Sequence, residues 1–300
     1  MILPTLQQLR YLVAVADHLH FGRAAQECAV TQSALSSGIQ ELERLLDVTL
    51  VDRTKRRVSL TPAGEEIVRR ARDVLVRAQD LVEVARSVSK PLSTEVRLGV
   101  IPTIGPYLLP AVLARLRSAH PELRVYLREE QTEVLLDGVR AGRLDAALIA
   151  LPYDTGDLVV RELGWDAMWV AVPADHALAR EAEVDADDLG AAPLLLLEDG
   201  HCLREHALEA CRLRAGANEV FQATSLRTLV EMVAGHLGLT LLPGVAVESE
   251  TAGRSDVVAR PLRERNGRCI ALVWRRRAAR EQEYELLADL MEPVVREVAG

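Results

Sequence analysis

The stretch FGRAAQECAVTQSALSSGIQELERLL, residues 21–46, decides the fold of the first third of the chain. Its second half carries apolar residues at spacings of four, three and four, as on one face of an amphipathic helix: Leu35, Ile39, Leu42 and Leu46. Thr31 is suited to cap this helix. A shorter helix over residues 21–28 precedes it, and a turn around residues 29–30 separates the two helices.

Another helix is predicted over residues 5–18, where apolar residues are spaced by three, four and three positions. Three short helices with a tight turn before the third form a helix-turn-helix, whose last helix presents its N-terminal polar side chains to the major groove. Gln can bond an adenine edge through two hydrogen bonds, and Ser or Thr can bond any base edge or a phosphate. We therefore expect DNA contacts from six residues: Thr31, Gln32, Ser33, Ser36, Ser37 and Gln40.

The next segment, VTLVDRTKRRVSLTPAG at residues 48–64, predicts two short strands around a basic tip. Taken alone, such a charge run is more simply a solvated surface. Directly after a polar-faced third helix, it indicates the wing of a winged helix-turn-helix domain over residues 1–61. Four cations of this segment are then expected to contact DNA: Arg53, Lys55, Arg56 and Arg57.

The charge distribution places any phosphate-binding surface in the same region. The 300 residues carry a net charge of −8, but residues 1–90 have 13 Lys and Arg against 11 Asp and Glu, whereas the remainder has 23 against 33. Four scattered cysteines are unlike a secreted disulfide scaffold. The chain shows neither a signal peptide nor a long apolar run, so we expect a cytoplasmic protein without membrane contact.

Residues 62–92 are expected to form a linker helix. Pro62 suits a first helical turn, and apolar residues then recur at alternating spacings of four and three: Ile67, Ala71, Val74, Ala78, Leu81, Ala85 and Val88. We interpret this seam as a dimerisation surface, because its small Ala residues permit close approach of a partner helix. The alternative is one long helix packed on its own domain. A homodimer would match a pair of half-sites on double-stranded DNA.

Residues 93–300 follow a helix-breaking segment and alternate strand-like runs with helical ones, which indicates an α/β effector domain with parallel sheets. Its length favours two lobes, residues 93–164 with 267–300 and residues 165–266. Ligands of such folds bind at the carboxyl ends of strands. Thr103 ends the first predicted strand, and Thr132 opens a helix beside the same cleft, unless its role is only that of an N-cap.

The stretch LEDGHCLREHALEAC, residues 197–211, is the most informative part of this domain. Cys202 should begin a helix, where the helix dipole, with His201 and Arg204 as neighbours, favours the thiolate. A thiolate can attack peroxide to give a sulfenic acid, which a second thiol such as Cys211 converts to a disulfide. A helix over these residues would hold the two Cα atoms roughly 13 to 14 Å apart, so a bridge would require unwinding. Spacing alone equally allows two buried packing residues.

The chain also resembles a known family, the LysR-type transcriptional regulators. The resemblance is carried by Phe21, Ala24-Ala25, Thr31-Gln32, Ala34-Leu35-Ser36, Ile39, Leu42-Glu43, Leu50, Arg53, Leu60-Thr61 and Ala63-Gly64. The effector part is similar to the hydrogen-peroxide-sensing OxyR branch through GHCLREHALEAC at residues 200–211 and ATSLRTLVEMVAGHLGLTLLP at residues 223–243. This implies an α/β protein with a winged helix-turn-helix, a dimerisation linker helix and a two-lobed periplasmic-binding-protein-like effector domain.

The same resemblance implies roles for individual residues. Cys202 would be the peroxidatic cysteine and Cys211 the resolving one, while a second set would hold peroxide: Thr103, Thr132, His201 and Arg268. It further implies a homotetramer whose disulfide form activates antioxidant genes through RNA polymerase and is reset by a cellular dithiol reductant. No cofactor and no metal site is expected.

Two other functions compete with this interpretation. A regulator of the same family could respond to a small organic effector between the lobes. A thiol peroxidase would use the same cysteines, but it would have no need for the DNA reader and the linker, so we expect no enzyme. Formation of a bond between Cys202 and Cys211 under stoichiometric peroxide separates the sensor from the organic-effector regulator.

Overall fold

The computed structural model describes residues 3–53, 58–87, 91–189, 193–210, 219–263 and 266–299. The chain divides into two units, Met1–Ala85 and Arg86–Gly300. Four of the predicted site residues lie outside the described residues: Lys55, Arg56, Arg57 and Cys211.

The N-terminal unit begins with the three predicted helices: α1 (Leu6–His18), α2 (Phe21–Glu27) and α3 (Gln32–Leu46). An antiparallel hairpin follows, in which β1 (Val51–Arg53) pairs with β2 (Val58–Leu60). Helix α4 then runs from Pro62 to Ser87. The winged helix-turn-helix and the long helix after it are confirmed.

Side-chain caps explain where these helices begin. The Nδ1 atom of His20 accepts the backbone N–H groups of Gly22 and Arg23 at 3.1 and 3.2 Å, and Thr31 Oγ1 accepts the N–H of Ala34 at 3.2 Å. Both caps satisfy backbone donors that have no partner inside the helix. Between the two helices, Ala29 adopts a φ of 56°, a left-handed conformation that reverses the chain in a short turn.

A glycine inside α3 allows α1 to pack closely against it. A Cβ atom at Gly38 would lie 2.7 Å from Cδ2 of Tyr11, which belongs to the core of this unit. Glycine within a helix costs about 1 kcal/mol relative to alanine. Here that cost is offset, because the buried Tyr11 ring occupies the space that a side chain would need.

The hairpin is fixed to the helices by two close contacts. Glu43 Oε1 accepts the backbone N–H groups of Leu50 and Val51 at 2.9 and 3.1 Å. A Cβ atom at Gly64 would lie 2.1 Å from the carbonyl oxygen of Leu50, so only glycine permits this approach. The base of the wing is therefore held in a defined position next to α3.

The second unit contains the remaining elements. Its strands are β3 (Glu95–Val100), β4 (Arg124–Glu129), β5 (Ala146–Leu151), β6 (Val159–Pro173), β7 (Leu194–Leu197), β8 (Glu219–Ala223), β9 (Leu239–Pro243), β10 (Val257–Pro261) and β11 (Gly267–Trp274). Its α-helices are α5 (Gly105–Ala119), α6 (Thr132–Arg140), α7 (Cys202–Ala210), α8 (Leu226–Ala234), α9 (Gly244–Thr251) and α10 (Glu281–Ala299). Two 3₁₀ turns cover Ala177–Arg180 and Ala186–Leu189.

These strands form two sheets, one in each lobe. The first sheet has the strand order β4-β3-β5-β11-β6. In the second sheet, β9 and β10 both pair with β6, and β7 and β8 follow beyond β9. Strands β3, β4 and β5 are parallel, as are β7, β8 and β9. Strands β6, β10 and β11 pair antiparallel to their neighbours. The expected two-lobed α/β domain is confirmed, but the expectation of purely parallel sheets is wrong.

One long strand, β6, belongs to both sheets. Its first part pairs with β11 as far as Ala167, opposite Gly267. From Met168 onwards it pairs with β9, and from Trp169 with β10. The chain passes from one lobe to the other without leaving the strand, and it returns through the segment between β10 and β11.

Each lobe has its own apolar core. Leu98, Leu148 and Trp274 belong to the core of the first lobe, and Val170 and Leu195 belong to that of the second. Helices pack on the strands of both lobes, for example α6 on β5 and α8 on β7, which is the usual arrangement of α/β folds. No described helix combines the length and the apolar composition that a membrane span requires.

Candidate functional site

The polar residues predicted to contact DNA lie along one side of α3. Gln32, Ser33, Ser37 and Gln40 are exposed, and Ser36 is half-buried. Thr31 precedes them as the exposed N-cap. Their spacings of three and four residues place them on adjacent turns. The structure therefore brings the α3 residues together, whereas of the four predicted basic residues it describes only the backbone of Arg53, at the end of β1.

Cys202 is the first residue of α7, as predicted, and its side chain crosses from the second lobe into the first. The residue is 4% exposed and belongs to the core of the first lobe, whereas Leu203 and Ala207 belong to that of the second. Further along α7, His206 Nε2 donates to the carbonyl oxygen of Pro152, just after β5, at 3.1 Å. Helix α7 thus joins the two lobes through both residues.

Arg268 lies near this cysteine and is held by hydrogen bonds to Thr103 and Asp166. Its guanidinium is fully buried and donates from Nη1 to Thr103 Oγ1 at 2.7 Å and from Nη2 to the Thr103 carbonyl at 2.9 Å. Its Nε donates to Asp166 Oδ2 at 2.9 Å. An arginine has five N–H groups, and these three bonds use three of them. Arg268 and Thr103 come together as the resemblance implies.

Thr132 is the third residue of the site, after Cys202 and Arg268. It is 1% exposed, and its Oγ1 makes no hydrogen bond of standard geometry to any described atom. Gln131, rather than Thr132, occupies the N-cap position of α6, so the interpretation of Thr132 as an N-cap is wrong. The hydroxyl lies close enough to Cys202 to lower the pKa of its thiol. A buried hydroxyl without a regular partner carries a desolvation cost that a small polar ligand would offset.

The electrostatics of Cys202 differ from the sequence-based expectation. Burial raises the pKa of the thiol above its ordinary value, against the opposing effects of the Arg268 charge and Thr132. Thiolate was expected to be favoured by the helix start with His201 and Arg204 beside it. In this structure the burial penalty exceeds these effects, and the charge that lowers the pKa most belongs to Arg268 on a different strand.

Neither neighbour in sequence acts as expected. Arg204 donates to the Leu197 carbonyl at 3.2 Å and pairs with Asp199 at 3.0 Å. Its charge is therefore balanced by a carboxylate just after β7. His201 is half-buried, and burial lowers the pKa of its imidazole. The neutral form is therefore favoured, and it can accept or donate a hydrogen bond but supplies no charge to the thiol.

Sequence reasoning missed Asp166. This residue is fully buried and stands directly opposite Arg268 in the pairing of β6 with β11. The available signal was an acidic residue inside a largely apolar stretch, ELGWDAMWVAVP at residues 162–173. Its partner could not be read from the sequence, because the two residues are 102 positions apart.

A second polar link between the lobes was also missed. Tyr107 on α5 donates its hydroxyl to Glu250 Oε1 on α9 at 2.8 Å. Burial and the neighbouring carboxylate strongly raise the pKa of Tyr107, so the phenol stays protonated as the donor. Glu250 also lies 3.5 Å from Arg227 Nη1 on α8. Helices α5, α8 and α9 thus meet around one carboxylate.

An open pocket of about 410 Å³ lies beside the cysteine, between α6 and α7. Glu133, Pro152, Tyr153 and Glu205 contribute to its walls. Burial and nearby negative charge raise the pKa of Tyr153, and Cys202 is among the groups that contribute. Cys202 itself does not line this pocket.

The other two described cysteines have different surroundings. Burial is the main cause that raises the thiol pKa of Cys28 and of Cys269, the latter to about 11. Both thiols are free, and their high pKa values favour the unreactive protonated form. Among the described residues, no three His, Cys, Asp or Glu side chains are arranged to hold a metal ion.

Two family models together span most of the chain. Residues 6–65 match the bacterial regulatory helix-turn-helix protein of the lysR family, and residues 89–296 match the LysR substrate binding domain. The first match covers the helices and hairpin of the N-terminal unit. The second covers both lobes and contains Cys202 and Arg268.

Individual proteins match over nearly the full length. The HTH-type transcriptional regulator EstR of Acinetobacter baylyi is 39% identical over 97% of both chains. A probable hydrogen peroxide-inducible genes activator of Streptomyces viridosporus is 43% identical over 98% of this chain and 96% of its own.

A solved structure gives the same result. A cysteine mutant of OxyR from Corynebacterium glutamicum with bound hydrogen peroxide superposes with a TM-score of 0.69 at 32% identity, over 99% of this chain and 94% of that one. The family models, the relatives and the solved structure all assign the chain to the same family. It belongs to the LysR family of DNA-binding transcriptional regulators, in the branch that contains OxyR.

Proposed function

We propose that this protein is a transcriptional regulator that responds to hydrogen peroxide through Cys202. The observation that carries the proposal is the buried grouping of the Cys202 thiol, the Thr132 hydroxyl without a regular partner and the Arg268 guanidinium. A relative with 43% identity is named as a hydrogen peroxide-inducible activator, and a solved relative holds peroxide. The name of EstR, at 39% identity, gives no stimulus, so overall similarity alone does not select peroxide.

The group has the donors and acceptors that peroxide requires. Hydrogen peroxide is a small molecule with two O–H donors and two acceptor oxygens. Thr132 Oγ1 can accept or donate, and the two N–H groups of Arg268 without described partners can donate to an oxygen that gains negative charge during O–O cleavage. Thr103 holds the guanidinium through its hydroxyl and its carbonyl oxygen. His201, half-buried and with a lowered pKa, completes the set as a neutral hydrogen-bonding group.

The chemistry has two steps. The Cys202 thiolate attacks one peroxide oxygen, the O–O bond breaks, and the products are a sulfenic acid and hydroxide, which takes up a proton to become water. The Cys211 thiol then attacks the sulfenic sulfur, a disulfide forms, and a second water molecule leaves. A cellular dithiol returns both cysteines to thiols and is itself oxidised to a disulfide.

Helix α7 makes this oxidation a structural event. Eight helical steps of 1.5 Å separate residues 202 and 210, so their Cα atoms are about 12 Å apart. The next Cα can come closer by only about 3.8 Å, whereas a disulfide requires about 5.5 to 6 Å. The bridge can therefore close only if α7 unwinds.

The N-terminal unit is the part that reads DNA. The exposed α3 residues from Thr31 to Gln40 enter the major groove, and the basic tip with Arg53, Lys55, Arg56 and Arg57 contacts phosphates. Helix α4 dimerises two chains, and two dimers form a homotetramer on double-stranded DNA. The oxidised form then engages RNA polymerase, and it activates antioxidant genes.

Peptide mass spectrometry of the full-length protein tests this function. One equivalent of hydrogen peroxide per chain should produce a Cys202–Cys211 disulfide, and Cys28 and Cys269 should remain thiols. The variant Cys202→Ser should form no bridge and should lose the change in transcription from a target promoter. Unmodified cysteines in the wild-type protein would refute the peroxide mechanism and favour a regulator controlled by a small organic effector.

A further inference from the structure

The carboxylate of Asp166 holds the Nε end of the Arg268 guanidinium. Asp166 Oδ2 accepts the Nε–H of Arg268 at 2.9 Å, and both side chains are fully buried. Their strands place them directly opposite each other. With Nε held by Asp166, both Nη groups donate to Thr103, and the guanidinium charge lies near enough to Cys202 to lower the pKa of its thiol.

The other oxygen of the same carboxylate is anchored to the second lobe. Asp166 Oδ1 accepts the backbone N–H of Val245 in the first turn of α9 at 3.0 Å. The N-terminus of a helix carries partial positive charge and stabilises a carboxylate. A Cβ atom at Gly244 would lie 3.1 Å from Oδ1, so glycine there leaves room for this contact.

A buried guanidinium is costly unless its charge is paired and its donors are satisfied. Asp166 supplies the opposite charge, and its two oxygens connect the guanidinium to the backbone of α9. We propose that Asp166 is a positioning residue that orients Arg268 towards Cys202 and the peroxide, and that it couples this orientation to α9. The inference rests on the proposed function for its peroxide part only.

This role and a simple countercharge role predict opposite effects on the thiol. If Asp166 only adds negative charge near the site, then Asp166→Asn removes a charge that disfavours the thiolate, and the pKa of Cys202 falls. If Asp166 positions Arg268, the substitution releases the guanidinium, and the thiol loses the charge that lowers its pKa. The pKa of Cys202 then rises.

The experiment measures the pH dependence of iodoacetamide alkylation at Cys202, by peptide mass spectrometry, together with the rate constant for peroxide. For Asp166→Asn in the full-length protein we expect the alkylation profile to move to higher pH by about one unit, which corresponds to about a tenfold slower reaction with peroxide at neutral pH. Asp166→Asn with Arg268→Gln should be no slower than Arg268→Gln alone, because both remove the same interaction.

Two further variants separate positioning from general loss of stability. Asp145 is a buried carboxylate of the same unit, paired with Arg97 at 2.6 Å, so Asp145→Asn is the matched control and should leave both rates unchanged. Asp166→Glu keeps the charge but moves the carboxylate by one methylene, and it should shift the profile by less than Asp166→Asn does. It is also the variant to use if Asp166→Asn does not fold.

A profile that moves to lower pH or stays in place for both Asp166 variants overturns the inference, and so does an equal shift in Asp145→Asn. The alkylation measurement needs no peroxide. If wild-type Cys202 ignores peroxide but the profile shifts as expected, the proposed function fails and the positioning role stands. If the wild-type protein reacts with peroxide and the Asp166 variants react equally fast, only the positioning role fails.

Discussion

Cys202 and Leu203 are adjacent in sequence but pack in different cores, Cys202 in that of the first lobe and Leu203 in that of the second. A single peptide unit at the start of α7 therefore spans the boundary between the lobes. A reaction at the Cys202 sulfur therefore either leaves this side chain in the first core or removes it from that core.

Removal of the resolving thiol should stop the reaction after its first step. In Cys211→Ser the sulfenic acid of Cys202 has no second thiol to attack it, so a dimedone adduct should form at Cys202 in most molecules after one equivalent of peroxide. Cys269→Ser is the matched control and should still form the bridge, because Cys269 has a pKa of about 11. A bridge in Cys211→Ser would mean that another cysteine resolves the intermediate.

Alkylation of reduced Cys202 should increase about tenfold per pH unit between pH 6 and pH 8. Only the thiolate reacts, and a pKa above the ordinary thiol value keeps the thiolate a minority over this whole range. Charged and polar groups around the thiol set this value together: Arg268, Thr132, Glu205 and Tyr153. A rate that levels off below pH 7 would contradict the raised pKa.

The same shift affects stability at alkaline pH. The folded state holds the Cys202 proton more tightly than the unfolded chain does, so the stabilising effect is complete below the ordinary thiol pKa and is lost as the pH rises through the folded-state value. Urea unfolding at increasing pH above 9 should therefore show a steeper loss of stability for the wild-type protein than for Cys202→Ser. Equal slopes would place the thiol in contact with water.

Replacement of Thr132 should separate stability from reactivity. Thr132→Val removes a buried hydroxyl that has no regular partner, so the free energy of unfolding should stay constant or rise by about 1 kcal/mol. The rate with peroxide should nevertheless fall about tenfold, the effect of one lost hydrogen bond of about 1.4 kcal/mol in the transition state.

Thr240 offers the matched control for this measurement. It is equally buried, and its hydroxyl donates to the Leu195 carbonyl at 2.9 Å. Thr240→Val should lose about 1 kcal/mol of stability, since it breaks that bond, and it should react with peroxide at the wild-type rate. If both variants lost stability alike, Thr132 would have a structural partner in solution.

Gly38→Ala should destabilise the DNA reader despite the better helix propensity of alanine. The added methyl group meets the Tyr11 ring at 2.7 Å, and overpacking of this kind costs about 1 to 3 kcal/mol, more than the gain of about 1 kcal/mol in propensity. Thermal unfolding of the full-length protein measures the difference. Gly38→Ala combined with Tyr11→Leu should recover part of the loss.

Much of the N-terminal unit could be predicted from the sequence because its helices are local. The stripe that ends at Leu46 and the cap at Thr31 lie within one element each. By contrast, Asp166 acquires its role only when β6 pairs with β11, and no local pattern shows that pairing. The pKa of Cys202 was predicted in the wrong direction for a similar reason: the helix start is local, but the burial comes from the other lobe.

The second unit shows the same division between local and distant effects. The start of α7 at Cys202 agreed with prediction, since the glycine turn before it is visible in the sequence. The antiparallel pairing was not predicted. The sequences of β6 and β11 do not distinguish an antiparallel strand from a parallel one until their partners are known. Helix α10 also had no counterpart among the predicted elements.

Strand β6 limits how the effector domain can move. Its backbone continues from one sheet into the other while its partner changes from β11 at Ala167 to β9 at Met168. A wide hinge opening between the lobes would therefore have to bend this strand where its partner changes. A stimulus that unwinds a single short helix is therefore better matched to this domain than one that requires the two lobes to close around a large ligand.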